Sequence, residues 1–209
     1  MKFCSDRELA PPDTSFKLTR VVLGLGTQNY TCAAPTDVTP HPLPAFYGAV
    51  AALYDASCLA KHIPSYLHDL PNVLIQVPND MFTSAVYFLQ KLWSPKKLAV
   101  GHHYFRDLTT PTFDFGSTSM DPATGKGKIL FGKVEERVPA PKVASKGRNE
   151  ETGRQANGAV EWLRLSVKEG TIGYKAGYRV MTAGGKPPLD CLPYPHGGQF
   201  EVPYVTEYW

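Results

Sequence analysis

The block Gly101-His102-His103-Tyr104-Phe105 puts three side chains that can give or take a proton next to one another. Neighbouring residues on a strand point to opposite faces. Two adjacent histidines therefore do not close on one metal, and no third ligand stands nearby, although His41, His62, His68 and His196 occur elsewhere. One of the pair would face a pocket and the other solvent; plain structural packing is the commoner role for either. Gly24-Leu25-Gly26 follows a β-rich run but lacks the third glycine of a dinucleotide turn, since position 29 is Asn29. Those glycines read instead as a bulge or a close backbone approach. No Gly-x-Ser-x-Gly elbow exists. Asp107, Asp114 and Glu161 form no carboxylate pair that the sequence can place, so glycoside hydrolysis has no visible machinery. The aromatics are more informative. Tyr30, Tyr178, Phe113 and Trp162 lie on or beside predicted strands, and tyrosine combines an apolar face with a polar tip. Such residues line apolar pockets with a few donors, or simply pack a core.

The elements that must carry these residues are mostly strands. Leu18–Leu25 is β-rich, and Gln28–Cys32 continues or pairs with it. The run Phe46–Tyr54 is apolar throughout and fits strand or helix, because periodicity does not arbitrate such runs. Further β signals cover 98–105, 111–115, 129–137, 159–167, 172–182 and 199–208. Between them, 33–44, 116–128 and 139–158 read as loops. Residues 59–96 differ in character: Pro78-Asn79-Asp80 resembles a helix start, and apolar residues then recur at helical spacing over 80–93. A shorter helix is expected at 64–70. Many short strands separated by turns predict a mainly β fold, a sandwich or partly closed antiparallel barrel with a short helical insertion. Residues 1–17 read as an N-terminal arm and 18–209 as one β domain with the insertion at about 59–96.

Composition agrees with one globular domain. Of 209 residues, 43% are hydrophobic and 20% charged, while 19 Pro and 18 Gly suit a chain with many turns. The net charge of +3 is too balanced for a partner bound by phosphate neutralisation, so nucleic acid is not expected. Apolar runs fall short of the roughly 20 residues of a membrane span. The chain opens without an apolar leader, which fits either a cytosolic protein or a mature secreted chain behind an added Met1. Four cysteines, Cys4, Cys32, Cys58 and Cys191, contain no Cys-x-x-Cys pair and allow three pairings. With the sequon Asn29-Tyr30-Thr31, they favour a secretory history and Asn29 as a glycosylation acceptor over four buried free thiols. Oligomeric state is left open.

The blocks GLGTQNYTC, GAVAALYDAS, GHHYF, GAVEWLRL, YRVMTAGGKPPLDC and VPYVTEYW resemble, in that order, a family of secreted bacterial and fungal β-domain proteins of unknown function, whose fungal members are often mislabelled malate dehydrogenase. The resemblance runs from about residue 18 to the C-terminus. It implies a cleaved signal peptide and a shared bridge, here Cys32–Cys191, which leaves Cys4–Cys58. The first bridge closes a long loop and is worth roughly 4–5 kcal/mol in the loop-entropy model. With its long insertion, the chain also resembles fungal hetero-Diels–Alderases of tropolonic sesquiterpenoid (meroterpenoid) biosynthesis. That resemblance implies a cofactor-free cyclase joining a tropolone quinone methide to a humulene-type alkene. Such a reaction needs two partners held in one orientation and a donor at the heterodiene oxygen. His102, His103 and Tyr104 are the expected donors. Tyr30, Phe113, Trp162 and Tyr178 are the expected walls around a small apolar or aromatic ligand, with no cofactor or metal. The competing expectation is a secreted, non-catalytic ligand-binding or structural module.

Overall fold

The computed structural model describes residues 8–77, 81, 84, 99–141, 144, 158–192, 194 and 198–209. Its strands are β1 (Val22–Cys32), β2 (Ala45–Asp55), β3 (Ala99–Phe105), β4 (Pro111–Met120), β5 (Gly127–Val138), β6 (Trp162–Val167), β7 (Ala176–Gly184) and β8 (Gly198–Tyr208). Helices α1 (Ser57–His62) and α2 (Pro64–Leu74) follow β2. Each strand pairs antiparallel with the next, and β8 returns to β1 from Val22↔Tyr208 to Cys32↔Gly198. The sheet is thus a closed barrel, which removes the exposed edges an open sheet would carry. Eight strands leave an interior that side chains can fill or that can hold one small ligand.

Period-2 alternation decides what fills it. On β2, Ala49, Ala51 and Leu53 are buried while Val50 between them is 47% exposed, which resolves the ambiguous apolar run as strand. On β1 the interior face carries Val22, Gly24, Gly26, Gln28 and Tyr30, and the strand runs unbroken where the sequence suggested two pieces. The two glycines are there because of space. A Cβ on Gly24 would lie 2.6 Å from the Tyr208 ring, and one on Gly26 would lie 1.8 Å from the Val50 carbonyl oxygen. β4 also runs further than its sequence suggests. It continues through the Gly/Ser-rich stretch to Met120 by way of register shifts around Gly116, which sits at φ +45°, and a turn capped by Asp121 and Thr124 leads into β5.

The helices cover the outside of the barrel rather than its core. In α2, Pro64 occupies the first turn, where its missing N–H costs nothing. Leu67, Leu70, Pro71 and Leu74 follow at helical spacing, with Ile75 just beyond, and present one apolar stripe. Leu67 and Ile75 pack with Val21, just before β1, and with Leu23, Ala183 and Val205 from β1, β7 and β8. Leu67 is fully buried, so truncation to Ala costs about 2–5 kcal/mol. The helix expected over 80–93 lies almost wholly outside the described residues; Met81 and Ser84 of it are helical. Most of the 139–158 loop also lies outside them.

At one barrel end, Cys32 and Cys191 form a disulfide with Cα atoms 5.8 Å apart. The bridge is buried with Tyr30, Phe200 and Val202, and Tyr194 stacks on Phe200 at 3.9 Å. Cys58 is an exposed free thiol on α1, and its expected partner Cys4 lies outside the described residues.

Candidate functional site

The opposite barrel end holds a cavity of about 600 Å³, within the usual range for small-molecule sites. Its floor is the barrel interior: Phe113 and Phe115 from β4, Leu130 from β5, Leu165 from β6 and Tyr208 from β8. The segment before β1 lies across the opening and supplies Phe16, Leu18 and Arg20. Two hydrogen bonds pin this arm to the barrel. Ala10 N–H donates to Glu136 Oε2 at 2.9 Å, and Tyr178 O–H donates to the Ala10 carbonyl at 3.0 Å. Tyr174, Lys175, His68 and Trp209 complete the rim.

Below the floor the interior turns polar. Tyr208 and Tyr204 hydroxyls lie 3.1 Å apart, and burial drives both phenols upward in pKa. His103 stacks on Phe113 at 4.4 Å, and its Nδ1–H donates to the Thr112 carbonyl at 2.9 Å. Burial pushes His103 down to about 4, with the positive Arg179 nearby adding to the effect, so the ring is neutral at physiological pH. Arg179 is buried, and its Nε–H and Nη2–H both donate to the Glu161 carbonyl, at 3.1 and 2.9 Å. Among the described residues no carboxylate pairs with it.

A second polar unit sits at the rim. Glu207 is fully buried on the outer face of β8, beneath α2. Its carboxylate lies 3.0 Å from His68 Nδ1 and accepts from Trp209 Nε1–H at 2.8 Å. Burial raises the Glu207 carboxyl above its ordinary value, while the His68 and Trp209 hydrogen bonds pull it back. A histidine oriented by a carboxylate and placed on a cavity wall is an arrangement able to move a proton.

The residues expected from sequence are scattered by this geometry. His102 and Tyr104 point out of the barrel and do not line the cavity, as strand alternation requires once His103 points in. His103 supports the floor from behind, and its one N–H is already given to Thr112. Phe113 and Tyr178 line the cavity. Trp162 is buried away from it, and Tyr30 sits at the disulfide end, donating to the Gly185 carbonyl at 2.8 Å. Asn29 faces outward in the middle of β1, where Thr27 O–H donates to its Oδ1 at 2.9 Å. The sequence reading missed Arg20, Tyr174, His68 and Glu207. Only Glu207 carried a signal, as the one carboxylate in the closing block VPYVTEYW. Among the described residues no cluster of three His, Cys, Asp or Glu could hold a metal, and no helix is long and apolar enough to cross a membrane. The disulfide fits an oxidising compartment.

No curated protein and no solved structure matches the chain. A family model described as a protein of unknown function (DUF3455) matches residues 12–209, and the chain belongs to that family.

Proposed function

We propose that this protein is a secreted, cofactor-free cyclase of fungal secondary metabolism that binds its substrates in the cavity at the arm end of the barrel. The reaction proposed is a hetero-Diels–Alder addition of a tropolone quinone methide to a humulene-type alkene. The observation that carries the reading is the cavity itself: about 600 Å³, walled by Phe113, Phe115, Leu130, Leu165 and Trp209, with few polar groups. A cycloaddition needs no nucleophile. It gains from two apolar partners held in a reactive pose, and intramolecular analogues show that orientation alone is worth about 7–11 kcal/mol at best. A donor at the heterodiene oxygen stabilises the charge that builds there. Tyr208 on the floor and Arg20 and Tyr174 at the rim are the groups placed to supply it.

A second reading is favoured by the architecture. An eight-stranded barrel with an apolar cavity at one end also suits a carrier that binds a ligand without turning it over. Incubation with a quinone-methide precursor and humulene, followed by chiral chromatography and mass spectrometry, separates the two. The cyclase reading expects a faster reaction giving one stereoisomer, reduced in Tyr208→Phe and Phe113→Ala. A product mixture equal to that of the protein-free control refutes it and leaves the carrier.

A further inference from the structure

The cavity is apolar in its depth but one-sided in charge at its rim. Lys17, Arg20 and Lys175 line it, and none of the lining residues is acidic. Lys175 has Asp13 beside it as a partial counter-charge. Arg20 does not: among the described residues it forms no ion pair. Its guanidinium carbon lies over the Phe115 ring, 4.9 Å from the centroid, a cation–π contact that holds the group against the apolar wall. Arg20 Nη1 is buried without a well-formed hydrogen bond, and the Tyr174 hydroxyl, also buried, is held only loosely, by Arg20 and Ser119. The two groups are neighbours, since Tyr174 packs on the same Phe115 ring at 5.4 Å and feels the Arg20 charge. Lys128 Nζ lies 6.0 Å above the Tyr174 ring and adds a further positive charge.

Buried donors without acceptors are uncommon, because each leaves its desolvation uncompensated. A guanidinium with a poorly satisfied buried N–H and no carboxylate beside it, next to a loosely held hydroxyl on a cavity wall with excess positive charge, points to an acceptor that arrives with the ligand. We infer that the cavity takes an apolar molecule carrying one oxyanion, such as a carboxylate, which lies between Arg20 and Tyr174 while the hydrocarbon body fills the space over Phe113 and Leu130. This inference rests on the cavity being the ligand site, and it adds the charge of the ligand and the residues that read it.

Trp209 lines the cavity, so quenching of tryptophan emission reports occupancy. The probes are all-trans-retinoate and retinol, which share a skeleton and differ in the terminal oxyanion. The wild-type protein should bind retinoate about tenfold more tightly than retinol, as a charge-assisted hydrogen bond provides. Arg20→Gln should abolish that preference, with retinoate affinity falling about tenfold further than retinol affinity. Tyr174→Phe, which removes one oxygen and keeps the ring, should reduce the preference by about threefold. Unchanged melting of both variants assures that the fold is kept. Equal binding of the two probes to the wild type overturns the oxyanion inference and leaves the cavity as a ligand site. Binding of neither probe overturns both.

Discussion

Removing the Cys32–Cys191 bridge should destabilise the protein severely without touching the cavity. The two cysteines are 159 positions apart. In the loop-entropy model a closed loop of that size restricts the unfolded chain by about 5 kcal/mol at 25 °C. Both sulfurs also pack with Tyr30, Phe200 and Val202, so their loss removes buried contacts as well. Domains of this size are held together by about 5–15 kcal/mol in total. Each kcal/mol shifts the melting temperature of a 150–250-residue domain by about 2–4 °C. The Cys32→Ala/Cys191→Ala protein should therefore melt about 10–20 °C lower. The bridge sits at the far end of β1 from Val22, about ten residues or roughly 30 Å along the strand. Retinoid binding measured well below the lowered melting point should thus match the wild type. Urea titration of the oxidised, reduced and doubly substituted proteins gives the free energies. A loss under about 1 kcal/mol would refute the loop-entropy reasoning, and a parallel loss of ligand affinity would refute the separation of the two ends.

Gly26→Ala should be among the most damaging small changes in the chain, because the new methyl carbon meets backbone, the Val50 carbonyl, rather than a side chain that can turn away. Low soluble yield or a loss of about 3 kcal/mol in urea is expected, and near wild-type stability would show that β1 and β2 can part locally. Glu207→Gln should alter the pH dependence of stability. A carboxyl whose folded pKa is raised contributes its full stability below its unfolded value, near about 4.3, and loses it as pH rises through the folded value. Between those limits the wild type should lose stability relative to Glu207→Gln, and parallel curves from pH 4 to 7 would contradict the burial argument. Tyr178→Phe removes the hydroxyl that donates to Ala10. Faster amide exchange across residues 10–20, with exchange in β7 unchanged, is the expected readout, and unaltered arm exchange would show that the Tyr178 hydroxyl does not tether it.

The strands were legible because alternation and turn residues are local signals. Phe46–Tyr54 could not be assigned, since its small alanines hide which face is buried; only the neighbours β1 and β3 decide it. Gly24 and Gly26 broke the apparent strand in sequence, yet they are what lets β1 pass Tyr208 and β2. The site was less legible. His102-His103-Tyr104 stood out as a local cluster, but a strand sends only one of three consecutive side chains inward when the middle one points in. The groups that do converge on the cavity come from distant positions. His68 and Glu207 are separated by 139 residues and meet because α2 folds back over β8. Arg20 and Tyr174 meet because the arm crosses the barrel mouth. No spacing rule within one sequence anticipates such encounters; the closure of the barrel creates them.

Because every strand neighbours the next in sequence and only β8 to β1 joins the two extremes, the barrel is in effect a ring with one seam. A ring has no intrinsic beginning. Val22 and Tyr208 sit opposite each other across that seam, so a linker could join β8 directly to β1 and new termini could be cut in the exposed turn between β4 and β5. In such a permutant the slow, long-range pairing of β8 with β1 becomes a local hairpin, and the last step of folding moves to β4 and β5. The native disulfide, which straddles the present seam and now spans 159 positions, would then enclose a loop of about 40 residues, and its restriction of the unfolded chain would fall by only about 1 kcal/mol.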